Sequence, residues 1–169
     1  MIHSPENHEE TILKIALSLV PKVGNKTALE LTKHYGSALS VFENGTVQDL
    51  CKFTKINASS ANSIVKKTTL IRAEKEWEFA QNYDIQVLSQ DMPEYPKRLK
   101  NCYDAPFLLY HKGTAKLNTS KIVAIVGTRK PTEKGRILCE ELIKDLAYYN
   151  PLIVSGLAYG IDITAHKKC

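Results

Sequence analysis

Two short apolar runs with an amphipathic helix between them are the feature that most limits the fold of this sequence. The runs KIVAIVG (121–127) and LIVSG (152–156) are typical of parallel strands buried on both faces. Between them, four apolar residues recur at helical spacing: Cys139, Leu142, Ile143 and Leu146. Strand, helix and strand predict a right-handed βαβ unit, the start of a doubly wound α/β sheet. Because a single βαβ unit leaves sheet edges unpaired, the sequence is expected to be part of a longer protein.

Two further strands are predicted ahead of this unit. IQVLS (85–89) and FLLYH (107–111) are short and apolar, and the segment between them is rich in proline and reads as turns. We expect them to be accessory strands of the α/β part.

The first half of the sequence predicts short helices instead. Apolar residues recur at helical spacing before Pro21 and again between Ala28 and Gly36. Two short helices follow, then a weaker second hairpin near Ile56, and then a longer helix marked by Leu70, Ala73, Trp77 and Ala80. The predicted fold class is α/β: an extended Rossmann-like parallel sheet, incomplete in this chain, preceded by a small all-helical domain of helix-hairpin-helix or SAM-like type. The predicted domains are residues 1–82 and residues 83–169.

Charge and cysteine usage narrow the function. The net charge is +5, and most of the excess lies after Asn82, which suits a nucleic-acid or phosphate ligand. The four cysteines are widely spaced and lack the spacing of zinc ligands, so no metal site is expected. Free thiols and the lack of an apolar run near 20 residues favour a cytoplasmic protein without a membrane partner.

Two glycine-containing loops follow the two predicted central strands. They are GTRKPT (127–132) and SGLAYGID (155–162). Ligands of open parallel sheets bind outside the carboxyl ends of the strands, where free backbone N–H groups attract anions. Arg129 and Lys130 add fixed positive charge, and the guanidinium can hold a phosphate through two hydrogen bonds. The two loops therefore predict an anion site.

Several side chains of these loops have two interpretations. The hydroxyls of Thr128 and Ser155 can donate to a phosphate, and the ring of Tyr159 can stack on a base. Asp162 is predicted to cap the next helix, with His166 on the same face. Structural roles explain the same residues: a sharp turn for the glycines, simple packing for the tyrosine, and a surface position for the histidine.

Known catalytic patterns are missing from these 169 residues. GTRKPTEKG lacks the second and third glycines of the dinucleotide fingerprint, and the sequence has no P-loop, nucleophile elbow or evident carboxylate pair. No cofactor and no catalytic residue are expected.

The segment LVPKVGNKTA (19–28) is similar to a helix-hairpin-helix motif, whose backbone N–H groups contact a DNA phosphate without reading sequence. Lys22, Gly24 and Lys26 are therefore candidates for a secondary DNA contact. The hairpin has one glycine where such motifs often have two, so a purely structural turn explains it equally well.

Four segments together resemble the DNA-processing protein A family, also called DprA or Smf: YPKRL, DAPFLLYHKG, IVAIVGTRKPTEKG and IVSGLAYGIDITAH. They lie between Tyr95 and His166, in the family's order and approximate spacing. The resemblance implies a protein that binds and protects single-stranded DNA and helps to load the RecA recombinase during natural transformation. It implies a mediator rather than an enzyme, and a homodimer in the full-length protein.

The same resemblance implies which residues line the DNA pocket. They are Gly127, Thr128 and Arg129 of the first loop, and Ser155, Gly156, Leu157, Ala158, Gly160 and Asp162 of the second. Two other functions stay open. A nucleotide or nucleotide-sugar processing enzyme of the lysine-decarboxylase-like type would use the same strand ends, although its P-G-G-x-G-T signature is not in this sequence. The helical part would alternatively serve only as a protein-interaction module.

Overall fold

The computed structural model describes residues 5–169, with side chains from residue 8 onward. The chain forms two compact units that divide between Thr114 and Ala115, and each unit is described by itself. Among the described helices, none has the length and apolar character needed to cross a membrane.

Within the described residues, the first unit consists of helices and one pair of strands. In chain order they are α1 (Pro5–Ser18), α2 (Asn25–Tyr35), α3 (Ala38–Asn44), α4 (Val47–Thr54), α5 (Ala58–Val65), α6 (Leu70–Asn82), β1 (Ile85–Ser89), α7 (Lys97–Lys100) and β2 (Leu108–Lys112). The helices of the first half confirm the prediction from apolar spacing. The single turn α7 lies where only turns were predicted.

The first unit contains two helix hairpins of the same construction. Lys22, between α1 and α2, and Lys55, between α4 and α5, both adopt the left-handed backbone conformation, with φ of 64° and 57°. The residue that follows each, Val23 or Ile56, is buried in the helical core. The residue after that is the N-cap of α2 or α5. The weak second hairpin predicted near Ile56 is therefore confirmed.

The strands β1 and β2 pair antiparallel, with Ile85 opposite Lys112. Val87 of β1 and Phe107, the residue before β2, are buried in the same core as the helices. The two strands therefore pack as part of the first unit.

The observed packing units differ from the predicted domains. They divide after Thr114, whereas the sequence predicted a division after Asn82. Packing does not define where a family domain begins, so the division into residues 1–82 and 83–169 stays a prediction.

A buried lysine joins α1 to the segment after β1. The side chain of Lys14 is 8% exposed, and its Nζ donates to Ser89 Oγ at 3.0 Å and to both carboxylate oxygens of Asp91 at 2.9 Å. Burial alone would raise the pKa of Asp91. The hydrogen bonds from Lys14 and Ser89 and the lysine charge outweigh that effect and hold the pKa below its usual value.

The second unit contains one βαβ unit and a further helix. Its elements are β3 (Ile122–Ala124), α8 (Glu133–Ala147), β4 (Leu152–Val154) and α9 (Ile161–Lys168). The strands are parallel, with Ile122 opposite Leu152, as the apolar runs predicted. The hydroxyl of Thr132 accepts the Gly135 N–H at 3.2 Å and so caps α8 directly after Pro131.

The strand pair is less buried than predicted. Val126 is 79% exposed and Val154 is 38% exposed, and Leu142, predicted on the buried stripe of α8, is 50% exposed. The reason is that, in the described part of this unit, the two helices cover one face of the pair. Alternate strand residues on that face, Val123 and Ile153 among them, pack on the core of α8 and α9.

The fold is therefore the predicted α/β class. A small helical unit of helix-hairpin-helix type precedes part of a Rossmann-like parallel sheet.

Candidate functional site

The loops after β3 and β4 leave the sheet side by side. Ala124 is paired with Val154 at the end of the parallel ladder, and the Ile125 N–H continues it by donating to the Val154 carbonyl at 2.9 Å. The two loops predicted to form an anion site thus begin at the same edge. This edge is the carboxyl end of both strands, where open α/β sheets bind ligands.

An internal carboxylate joins the two loops. Asp162 is 3% exposed, its Oδ1 accepts the Gly127 N–H at 3.2 Å, and its Oδ2 accepts the Gly156 N–H at 3.1 Å. The prediction that Asp162 caps α9 is wrong, because Gly160 occupies the N-cap position and no side chain caps this helix. Asp162 lies in the first turn of α9 and reaches back to both loops instead. An anion of the chain itself therefore occupies these two backbone donors.

The glycines allow the loops and the start of α9 to approach closely. A Cβ on Gly127 would lie 2.6 Å from the Cβ of Ile161. Gly160 has φ of 94° and ψ of −128°, which L residues rarely adopt, and a Cβ there would lie 2.8 Å from Arg129 Cα and closer still to the Thr128 carbonyl. The Ile161 N–H donates to that carbonyl at 3.2 Å. The space that these glycines leave is thus occupied by neighbouring residues of the protein itself.

The hydroxyl of Ser155 is also used inside the second loop. Ser155 Oγ lies 2.8 Å from Nε2 of His166 and accepts the Leu157 N–H at 3.0 Å. Leu157 has φ of 53°, a left-handed conformation that this hydrogen bond supports. Asp162 and His166 share the face of α9 that meets the loop, as their spacing predicted.

The cations of the first loop point into solvent. Arg129 and Lys130 are exposed, and within the described part of the chain their side chains form neither a hydrogen bond nor an ion pair. The Thr128 hydroxyl accepts the Lys130 N–H at 3.2 Å. On the second loop, the side chains of Leu157 and Tyr159 are 64% and 85% exposed. The groups left for a ligand are therefore two cations and two apolar or aromatic surfaces.

A groove of about 660 Å³ extends from these cations along α8 and α9. Five cations and one carboxylate supply its charged groups: Arg129, Lys130, Arg136, Lys167, Lys168 and Glu140. The last three cations were missed by the sequence reasoning. Helical spacing in the sequence could have identified Lys167. Ile163, Thr164 and Lys167 follow Gly160 by three, four and seven residues and so share one face of α9.

The candidate hairpin of the first unit is exposed at the predicted residues. Lys22, Gly24 and Lys26 all lie at the surface. The ammonium of Lys26 lies 5.3 Å from the centre of the Tyr103 ring. The Asn25 side chain accepts the Phe107 N–H at 3.1 Å and so ties the hairpin to the segment before β2. The hairpin is a positively charged surface feature.

Comparison with known proteins identifies the relatives of the chain. The model of the family described as DNA recombination-mediator protein A matches residues 86–169. DNA processing protein DprA of Bacillus subtilis (strain 168) is 42% identical over 74 residues, which cover 43% of this chain and 25% of that protein. DprA of Streptococcus pneumoniae (strain ATCC BAA-255 / R6) is 47% identical over 73 residues, with the same shares of the two chains.

The fold matches a solved structure of the same kind. The X-ray structure of DprA from Streptococcus pneumoniae superposes with a TM-score of 0.67 at 27% identity, covering 99% of this chain and 54% of that one. The matched region spans about a quarter of the length of the two curated relatives and about half of the solved chain. The sequence match lies on the segment that holds both loops, and the structural match extends over the helices before it. Residues 86–169 of the chain therefore belong to the DNA-processing protein A family, whose members carry the names DprA and Smf.

Proposed function

We propose that the protein binds single-stranded DNA and acts in DNA recombination as a mediator that protects the strand and helps to load the RecA recombinase. The observation that carries this proposal is the exposed guanidinium of Arg129 beside Lys130, at the strand ends of a chain whose relatives are named DNA processing proteins. Among the described residues, this guanidinium has no ion-pair partner. A fixed, solvated cation at the carboxyl edge of a parallel sheet suits a phosphate.

The residues divide into two proposed roles. Arg129 and Lys130 hold the phosphates, because they are the charged groups of the loops without an internal partner in the described structure. The exposed Leu157 and Tyr159 offer surfaces on which unpaired bases stack, which favours single strands over duplex.

The remaining predicted residues shape the loops. Their backbone or side-chain groups are used within the protein or lie in the close contacts described above: Gly127, Thr128, Ser155, Gly156, Ala158, Gly160 and Asp162. We propose that they place Arg129 rather than touch the phosphate. The carboxylate of Asp162 repels a phosphate from the two glycine amides, so the phosphate is held on the outer side of the first loop.

Further partners follow from the family. RecA and a second copy of the full-length protein are proposed partners, and the hairpin of Lys22, Gly24 and Lys26 is a proposed secondary DNA contact. Its exposed lysines, and the hydrogen bond that ties Asn25 of the hairpin to Phe107, support that role.

One observation favours the alternative of a nucleotide-processing enzyme. The hydroxyl of Ser155 and the imidazole of His166 lie 2.8 Å apart and are half-buried, as a nucleophile and its base require. The amides of Gly127 and Gly156, which would hold the phosphate of a nucleotide at this sheet edge, instead donate to Asp162. Release of free base from a nucleoside monophosphate, abolished by His166→Gln, would favour the enzyme.

Fluorescence anisotropy with a labelled oligonucleotide tests the DNA-binding proposal. Arg129→Ala should lower the affinity for a single strand about five-fold at 0.1 M salt, since each phosphate contact adds about −0.7 to the slope of log K against log salt. The control is Arg72→Ala, which should leave the affinity unchanged. Arg72 lies on α6 of the first unit, and its side chain is 72% exposed. A Lys22→Gln, Lys26→Gln double variant tests the hairpin in the same titration. If Arg129→Ala binds single strands as wild type does, the proposal is wrong.

A further inference from the structure

The groove between α8 and α9 carries more positive charge than the loops alone explain. Among the residues that the structure describes, five cations and the carboxylate of Glu140 line it. Lys168 pairs with Glu140 at 3.6 Å, and Arg136 pairs at 3.4 Å with Glu133, which does not line the groove. Lys167 has no ion pair within the described residues. The groove therefore keeps a net positive charge after its internal pairs are formed.

These internal pairs are weak. The side chains of Lys168 and Glu140 are 48% and 46% exposed, and those of Arg136 and Glu133 are 54% and 76% exposed. Exposed ion pairs contribute little to stability, because water screens them. The cations of both pairs are thus available to the phosphodiester groups of a nucleic acid.

The cations are arranged along the groove rather than around one point. Arg129 and Lys130 lie at the strand ends, while Lys167 lies seven residues after the N-cap Gly160, about 10 Å along the axis of α9. Arg136 borders the groove from the facing helix. A nucleic-acid strand carries successive phosphates along its backbone, so cations spread over this length suit a ligand with at least two phosphates joined in a chain.

We propose that this groove is a second phosphate-binding subsite, in which Lys167 and Arg136 hold the sugar-phosphate backbone of a single strand whose neighbouring phosphate is held by Arg129. The inference rests on the proposed DNA-binding function and adds to it the path of the strand away from the sheet edge. Its polar floor, which includes Thr164 and the backbone of Gly160, suits a hydrated phosphate chain.

Salt-dependent anisotropy on the whole chain tests the subsite. Lys167→Gln should lower the affinity for a labelled twelve-nucleotide thymidine strand about five-fold at 0.1 M salt and reduce the magnitude of the salt slope by about 0.7. Arg136→Gln should act similarly. The matched control is Lys134→Gln, an exposed lysine of α8 that does not line the groove, which should change neither quantity. Protection of the buried Cys139 thiol from modification verifies that each variant is folded.

The outcomes separate this inference from the proposal on which it rests. If Arg129→Ala weakens binding and Lys167→Gln and Arg136→Gln behave like Lys134→Gln, the subsite is wrong and the loop site stands. If Arg129→Ala has no effect, the proposed function fails first. A polyglutamate peptide that displaces the strand from wild type, but not from Lys167→Gln, would overturn the nucleic-acid assignment of the groove in favour of an acidic protein partner.

Discussion

Replacing Asp162 by asparagine should loosen both loops at once. The carboxylate accepts two backbone N–H groups, and an asparagine has one carbonyl oxygen to accept with. The amide group would face the second N–H without accepting from it, so at least one hydrogen bond to a charged group is lost. Such a bond contributes about 1.5–3 kcal/mol, and the buried donor is left unsatisfied. We expect local opening to become easier by about 2 kcal/mol.

Amide hydrogen exchange measured by NMR gives this free energy directly. About 2 kcal/mol corresponds to about 30-fold faster exchange of the Gly127 or Gly156 amide, at 1.36 kcal/mol for each factor of ten. The amide of Ile125, which donates within the strand ladder, should change less. Asp145→Asn is the matched control, because this aspartate is exposed on α8 and forms no bond to either loop. Equal exchange rates at both glycines in Asp162→Asn and Asp145→Asn would refute the role assigned to the carboxylate.

Two other predictions test the second and first units separately. Gly160→Ala should destabilise the second unit by about 1–3 kcal/mol or more, because its φ of 94° is unfavourable for alanine and the added Cβ meets the first loop; the Cys139 thiol should then be modified at lower urea concentration. The lowered pKa of Asp91 means that the Lys14 pair stabilises the first unit above the ordinary aspartate pKa of about 4, and that this contribution is lost as the pH falls through the folded-state value. Urea unfolding followed by Trp77 fluorescence should show that loss below pH 4.

Each of these predictions has a control within the chain. Gly135→Ala places the same methyl group in α8 without backbone strain, and it should leave the second unit as stable as wild type or more so. Asp91→Asn should remove the acid-dependent loss of stability, whereas Asp104→Asn, at an exposed position, should retain it. Modification of Cys139 at lower urea concentration in Gly135→Ala would contradict the explanation by backbone strain at Gly160. The same pH profile in Asp91→Asn as in wild type would contradict the role of the Lys14–Asp91 pair.

Local patterns predicted the helices because the evidence for them lies within a few residues. Gly36 ends α2 in a left-handed conformation with φ of 90°, and the apolar spacing of Ala73, Trp77 and Ala80 marks the buried face of α6. The parallel pairing of β3 and β4 was equally accessible, because two apolar runs flank one amphipathic helix.

The function of the loop glycines could not be read in the same way. A glycine turn with free N–H groups is compatible with an external anion or with an internal one, and the side chain that decides is Asp162, 35 residues after Gly127. The same limit applies to Lys14, which lies among the buried residues of α1 and pairs with Asp91, 77 residues away. Contacts of this range depend on the assembled fold.

The carboxylate between the loops also bears on how quickly and how selectively a strand would be captured. The Asp162 carboxylate already orders the glycine turns. The loops should therefore lose little conformational entropy when a strand binds, and association should not require a slow rearrangement. The same negative charge repels a small anion from the backbone amides of Gly127 and Gly156. The loops are therefore arranged before a ligand binds, and under the proposed function they favour a long polyanion that contacts their outer side.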